Sequence, residues 1–138
     1  TDGEALDLAG FHITAFDIGS KKMQQFGFLL DLPDGQHLCF AGDEPVKPST
    51  EKYAKGAKWL FSEAYCLHAD RDIYKPYERS HVTSLDAGNL AQEMGVRNMV
   101  IYHTADYGSD RRDRMTQEAA SVFSGNIYVP EDMESIQL

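Results

Sequence analysis

Asp43 and His103 are the residues best placed to do chemistry. Each closes a short apolar run: Leu38-Cys39-Phe40-Ala41-Gly42 leads into the carboxylate, and Met99-Val100-Ile101-Tyr102 leads into the imidazole. A carboxylate and an imidazole at the ends of two strands would share one rim of a sheet. Both are donors for a divalent cation, and the carboxylate can bridge two ions. Gly42 lets the chain turn sharply just before Asp43. Taken alone, the Gly-Asp pair also fits an ordinary strand-end turn, and His103 also fits a surface or capping histidine.

Two more groups extend the constellation. His81 stands just ahead of a strong helix start, whose positive end would lower its pKa and attract an anion. That suits a group touching a phosphate or a developing oxyanion, with a plain loop histidine as the alternative. Glu63 lies near the end of the apolar stretch Leu60 to Ala64. A buried carboxylate there needs a partner, and His81 is the natural one; the other reading is a solvent-facing glutamate. Asp106 is placed to support His103 from behind. Arg111, Arg112 and Arg114 could grip phosphates, but Asp110 and Asp113 interleave with them, which favours a solvated helix start. Trp59, Tyr74 and Tyr77 read as packing residues.

The elements that must position these groups follow from periodicity and turn chemistry. Phe11 to Ile18 alternates as a strand, Phe26 to Leu32 is a second, and Gln36 to Ala41 returns as a third across Pro33-Asp34-Gly35, so a hairpin is expected. Ser49 to Glu51 could start one helical turn. Ala57 to Tyr65 reads as a mostly buried strand, and residues 66–80 as a long loop. Thr83 and Asp86 fit a capping box in acidic form. Ala87, Leu90, Ala91 and Met94 then form one apolar helical stripe that Gly95 ends. Asn98 to Tyr102 is a buried strand, Asp110 to Val122 a second helix, and Asn126 to Val129 a last short strand. Helix, glycine turn and buried strand in succession indicate a layered α/β (α+β) architecture in one unit, residues 1–138.

Composition narrows the partners. The 138 residues suffice for one real core, and 42% hydrophobic with 25% charged residues is ordinary for a globular chain. A net charge of −9 argues against a general nucleic-acid or anionic-membrane binder, which needs a basic face. No apolar stretch is long enough for a transmembrane helix. The N-terminus lacks the basic start and apolar run of a signal peptide, and it lacks an initiator Met, so truncation or processing is expected. Cys39 and Cys66 sit in or beside apolar strands and are expected as buried thiols, compatible with a reducing cytoplasm.

In this order and spacing the motifs resemble the C-terminal half of the metallo-β-lactamase fold, nearest to ribonuclease Z-like metal-dependent hydrolases. Phe26-Gly27-Phe28 through Gly42-Asp43 is similar to that group's hairpin ending in a Gly-Asp metal motif. Ser62-Glu63-Ala64 resembles its His-Glu-Ala segment, Ser80-His81-Val82-Thr83 its His-Ser-Thr motif, and Val96 to His103 the strand that delivers its last metal histidine. The resemblance spans roughly Gly10 to Pro130. It implies half of an αββα sandwich, a mixed sheet with helices on one face.

It also implies that Asp43 bridges two metal ions, usually zinc, with manganese or iron as alternatives, and that His103 ligates one of them. A metal-bound hydroxide would attack a phosphodiester or a small-molecule ester. His81 would stabilise the transition state or donate a proton to the leaving group, oriented by Glu63. The family's His-x-His-x-Asp-His cluster has no counterpart among His12, His37, His68, His81 and His103, and many relatives carry a histidine near Gly19. Two ligands fall short of the three or four that zinc needs. The expectation is therefore a chain that supplies part of a binuclear site and is inactive in isolation, with a missing N-terminal half or a second copy covering its open sheet face. The alternative is a metal-free, non-catalytic half-domain that binds a partner or dimerises. Acidity favours a small substrate over a bulky RNA and leaves nucleic acid undecided.

Overall fold

Two tight turns build the antiparallel half of the sheet. In the computed structural model, which describes residues 2–138, β1 (Glu4–Leu8) and β2 (Phe11–Asp17) are joined by Ala9 and Gly10. Both turn residues are left-handed, at φ 51° and 86°. A two-residue loop of this hand matches the twist of its strands. β3 (Phe26–Asp31) and β4 (His37–Phe40) form the expected hairpin, with Gly35 N–H donating to the Leu32 carbonyl at 2.9 Å.

After β4 the chain changes direction rule. α1 (Glu51–Ala54) leads to β5 (Trp59–Glu63), and α2 (Arg71–Tyr74) and α3 (Ser84–Met94) lead to β6 (Asn98–Tyr102). α4 (Arg111–Ala120) then leads to β7 (Asn126–Tyr128). β1 to β4 pair antiparallel and β4 to β7 pair parallel, and strand order in the seven-stranded sheet equals chain order. Parallel neighbours need crossovers, and the helices are those crossovers.

α3 has the termini its sequence calls for. The Thr83 hydroxyl accepts from Asp86 N–H while the Asp86 carboxylate accepts from Thr83 N–H, and Gly95 closes the helix at φ 67°. Glu118 of α4 reinforces this start from outside. Its carboxylate accepts from His68 N–H at 3.0 Å, from Leu85 N–H at 3.1 Å and from the Ser84 hydroxyl. One side chain thus satisfies donors from two segments that flank the site.

The helices lie on one side of the sheet. Ala87, Ala91, Met115 and Ala119 pack there on Cys39, Leu60, Met99 and Ile101, all essentially buried. The other side carries Leu38, Trp59 and Val100 with Phe28, Leu30, Phe40, Phe61 and Tyr128 around them, the latter five only partly buried. Ile136 of the C-terminal segment folds back against this side.

Two features differ from the sequence expectation. β1 was not anticipated, because every one of its residues is exposed and its apolar alternation is interrupted by acids. Residues 66–80 are not a plain loop but contain α2 and two single turns of 3-10 helix, at His68–Asp70 and Tyr77–Arg79. Both cysteines are free and buried, as expected. Among the described residues, no helix is long and apolar enough to cross a membrane.

Candidate functional site

The carboxyl ends of β4, β5 and β6 converge on one rim, the place where α/β sheets gather ligand-binding groups. Beyond β4, Gly42 adopts φ 86°, and a Cβ on it would come to 3.1 Å from Ile18. Position and conformation both favour glycine there. The Tyr102 hydroxyl, at the end of β6, donates to the Gly42 carbonyl. The turn carrying half-buried Asp43 is thereby tied to the residue that precedes His103.

Glu44 anchors that turn from the other side. Its buried carboxylate accepts from the Ser20 hydroxyl at 2.7 Å and from the Lys47 ammonium at 3.1 Å. Burial pushes its pKa upward, but these two partners outweigh burial and hold it below the usual value.

His103 follows β6 directly and has left-handed backbone, φ 55°. For a non-glycine residue this is strained, and it breaks the alternation that would place His103 with Met99 and Ile101 under the helices. Its ring lies 5.1 Å from that of His81, centroid to centroid. Ser80 is likewise left-handed at φ 62°, and His81 N–H donates to the Pro76 carbonyl at 2.9 Å, which fixes the segment that carries His81. Tyr65 stacks on the His81 ring at 5.2 Å.

Glu63 is fully buried at the end of β5. One carboxylate oxygen accepts from Val82 N–H at 2.8 Å; the other faces His81 Nδ1 at 3.5 Å, and neither of these last two buried atoms has a hydrogen-bond partner. Burial drives the Glu63 pKa up to about 8, with the negative charges of Asp43, Asp86 and Glu44 adding to it and the Val82 bond opposing. Burial also lowers the pKa of His81, helped by His103 and Lys22 and opposed by Asp43 and Glu44. The direction for His81 is the one expected from sequence, but its first cause is burial rather than a helix end. With Glu63 protonated and His81 neutral, the carboxyl O–H is the donor suited to Nδ1. The imidazole proton then belongs on Nε2.

All four sequence-expected site residues therefore lie at one rim. Asp106 does not join them: its carboxylate accepts from Gly108 N–H at 2.7 Å and shapes the following loop. The arginines are engaged structurally. Arg111 donates to the Thr104 hydroxyl and the Pro130 carbonyl, Arg112 pairs with Glu134, and Arg114 lies over the Tyr107 ring. Sequence reading missed Tyr65 as a ring wall and Lys22, whose ammonium reaches the Arg79 carbonyl at 3.0 Å from across the rim.

Asp43 and His103 have the donor chemistry of a metal centre. Among the described residues, however, no three His, Cys, Asp or Glu side chains are grouped to hold an ion. Zinc takes three or four protein ligands. Asp43 and His103 are two donors of that kind, fewer than such an ion takes.

No protein-family profile matches the chain. Ribonuclease Z of Thermobifida fusca (strain YX) is 35% identical to it over 100 residues, which are 72% of this chain and 31% of that protein. The structure superposes on the metallo-β-lactamase fold protein YhfI of Bacillus subtilis with a TM-score of 0.76 at 21% identity, covering 95% of this chain and 51% of that one. On the short form of human tRNase Z the TM-score is 0.69 at 22% identity, covering 96% and 45%. The chain spans about a third of the length of the curated ribonuclease Z relatives it matches.

Proposed function

The chain belongs to the metallo-β-lactamase-fold superfamily, on its ribonuclease Z-like side, and from that premise we propose that it supplies part of the active site of a metal-dependent hydrolase. The proposed substrate is a phosphodiester or a small-molecule ester. Asp43 and His103 are the proposed metal ligands, with further ligands coming from outside these residues and zinc as the first candidate ion. Bound divalent ions would supply Lewis acidity. The observation that carries the reading is the meeting of strand-end Asp43, Glu63 and His103 with His81 at one rim.

What this chain's own residues do follows from their bonding. Glu63, held by Val82 N–H, faces His81 Nδ1 at 3.5 Å and would orient the ring on a small approach of the two groups. Nε2–H is then the donor for a leaving oxygen or a developing negative charge. Tyr65 stacks on the ring and limits its rotation. The free, buried thiols suit a cytoplasmic protein.

The test uses the complete protein and an activated bis-aryl phosphodiester. Asp43→Ala and His103→Ala are each expected to lower turnover at least about 1,000-fold, with the circular dichroism spectrum unchanged. Full activity in both variants would remove these residues from the site. The isolated chain is expected to hold zinc substoichiometrically at Asp43 and His103; two tightly bound ions per chain, by elemental analysis, would overturn the part-site reading.

A second reading rests on the partly open sheet face. Leu6, Leu8, Phe11 and Phe26 are exposed, and strand register puts them on the side of Phe28 and Leu30. Such a patch marks an association surface. We take its proposed occupant to be the remainder of the αββα sandwich. A stable, metal-free homodimer in sedimentation would favour a non-catalytic binding module instead.

A further inference from the structure

A row of alternating carboxylates and imidazoles crosses the antiparallel half of the sheet. Register pairs Asp7 with His12 and Asp31 with His37. The β2–β3 register, in which Ile13 faces Leu30, extends by one residue to set His12 opposite Asp31. The order Asp7, His12, Asp31, His37 thus runs over four neighbouring strands on one face. It is the face of Leu29 and Cys39, the helix side, at an end the helices leave uncovered: the four side chains are between 44% and 85% exposed. His37 opens β4, whereas Asp43 follows its far end. Six residues of extended chain put the row roughly 20 Å from the metal-ligand rim.

The bonding within the row is selective. His12 Nδ1 lies 2.9 Å from the Asp7 carboxylate, and His37 Nδ1 lies 2.8 Å from the Asp31 carboxylate. A carboxylate on Nδ1 makes that nitrogen the N–H donor and leaves the Nε2 lone pair free. Metal-binding histidines are commonly oriented in this way, with a carboxylate behind the ring raising its basicity. His12 and His37 are two strand spacings apart, about 10 Å at the backbone. An imidazole plus a metal–nitrogen bond of about 2 Å spans half of that with ease.

We propose that His12 and His37 form a two-imidazole site for a late first-row divalent cation, bound through Nε2 of each ring. Cu²⁺ and then Ni²⁺ hold such nitrogen donors most strongly. Water fills the remaining positions, in keeping with the lack of any group of three protein donors among the described residues. The net charge of −9 further favours a cation over an anion. The site is independent of the proposed hydrolytic centre and needs nothing from outside this chain.

The experiment is a Cu²⁺ titration of the ¹⁵N-labelled chain, because a paramagnetic ion broadens only nearby amide signals. Substoichiometric Cu²⁺ is expected to erase signals around residues 12 and 37, and to do so equally in an Asp43→Ala/His103→Ala chain. His12→Gln and His37→Gln should each weaken binding at least about tenfold, the loss of one good ligand, while His68→Gln leaves it unchanged. All three substitutions are on residues outside the core, so the fold is retained. Broadening confined to residues 43, 81 and 103 would overturn the proposal. So would a less than twofold effect of each single substitution, which would mean an adventitious ion only, held by separate histidines.

Discussion

The two sides of the sheet solve the problem of burial differently. Under the helices the side chains are mostly alanine, methionine and branched aliphatics, with Phe16 and Phe123 among them, and they are closed off from water. On the opposite side they are large and aromatic. Phe28 stacks on Phe40 at 4.9 Å, Phe40 on Tyr102 at 5.0 Å, and Trp59 packs on Tyr128 at 5.2 Å, yet most of these rings keep an exposed edge. The helix side is a finished core. The aromatic side is organised in the plane of the sheet, and among the described residues only the C-terminal segment around Ile136 packs over it. Glu63 belongs to this second side, in line with Trp59 and Phe61, and the segment bearing His81 covers it. The candidate site thus lies where the open face is capped.

The sharpest contrast comes from adjacent residues of β5. Leu60→Ala, under the helices, should cost about 2–5 kcal/mol in urea unfolding. Phe61→Ala, on the aromatic side, should cost about 1–2 kcal/mol, because the ring is only partly removed from water. Equal losses would mean that the aromatic side is as complete a core as the other.

A pH series tests the capped end. The folded protein keeps a proton on Glu63 up to about pH 8, where an ordinary glutamic acid near 4.5 has released it. The folded state therefore binds more protons across that interval, and stability falls as pH rises through it, by on the order of a few kcal/mol. His81, lowered from 6.5, acts in the opposite sense, and stability falls as pH drops below that value. Glu63→Gln cannot release the proton and should flatten the alkaline limb. An unchanged limb would place the titrating group elsewhere.

Self-association probes the partly exposed aromatic side. Leu30→Lys and Phe61→Lys should each weaken any self-association of the isolated chain about tenfold in sedimentation, roughly 1.4 kcal/mol. Unaltered association would move the sticky surface to another face. The smallest effect is expected at Ser80→Gly, which relieves the left-handed backbone before His81 and should add about 0.5–1 kcal/mol. A loss instead would show that the serine side chain contributes more than its strain costs.

Much of this was legible because short-range chemistry fixed it. The capping box at Thr83, the Gly95 stop, the Pro33-Asp34-Gly35 hairpin and the apolar runs of β4, β5 and β6 each carry their own signal, and together they place Asp43, Glu63 and His103 at strand ends. β1 carried no such signal, since an exposed edge strand has no buried stripe to read. The left-handed His103 could not be read either: nothing in the residue type announces it, and packing around Tyr65 and His81 accompanies it. Asp106 illustrates the converse. Its sequence position suggested support for His103, but an aspartate two residues before a glycine amide satisfied the nearer donor first.

The match between strand order and chain order has a consequence for how the molecule comes into being. Each strand can join a neighbour that has already left the ribosome, so the sheet can lengthen one strand at a time from β1 to β7 without waiting for distant sequence. Such nested, near-neighbour pairing keeps the entropy of loop closure low at every step.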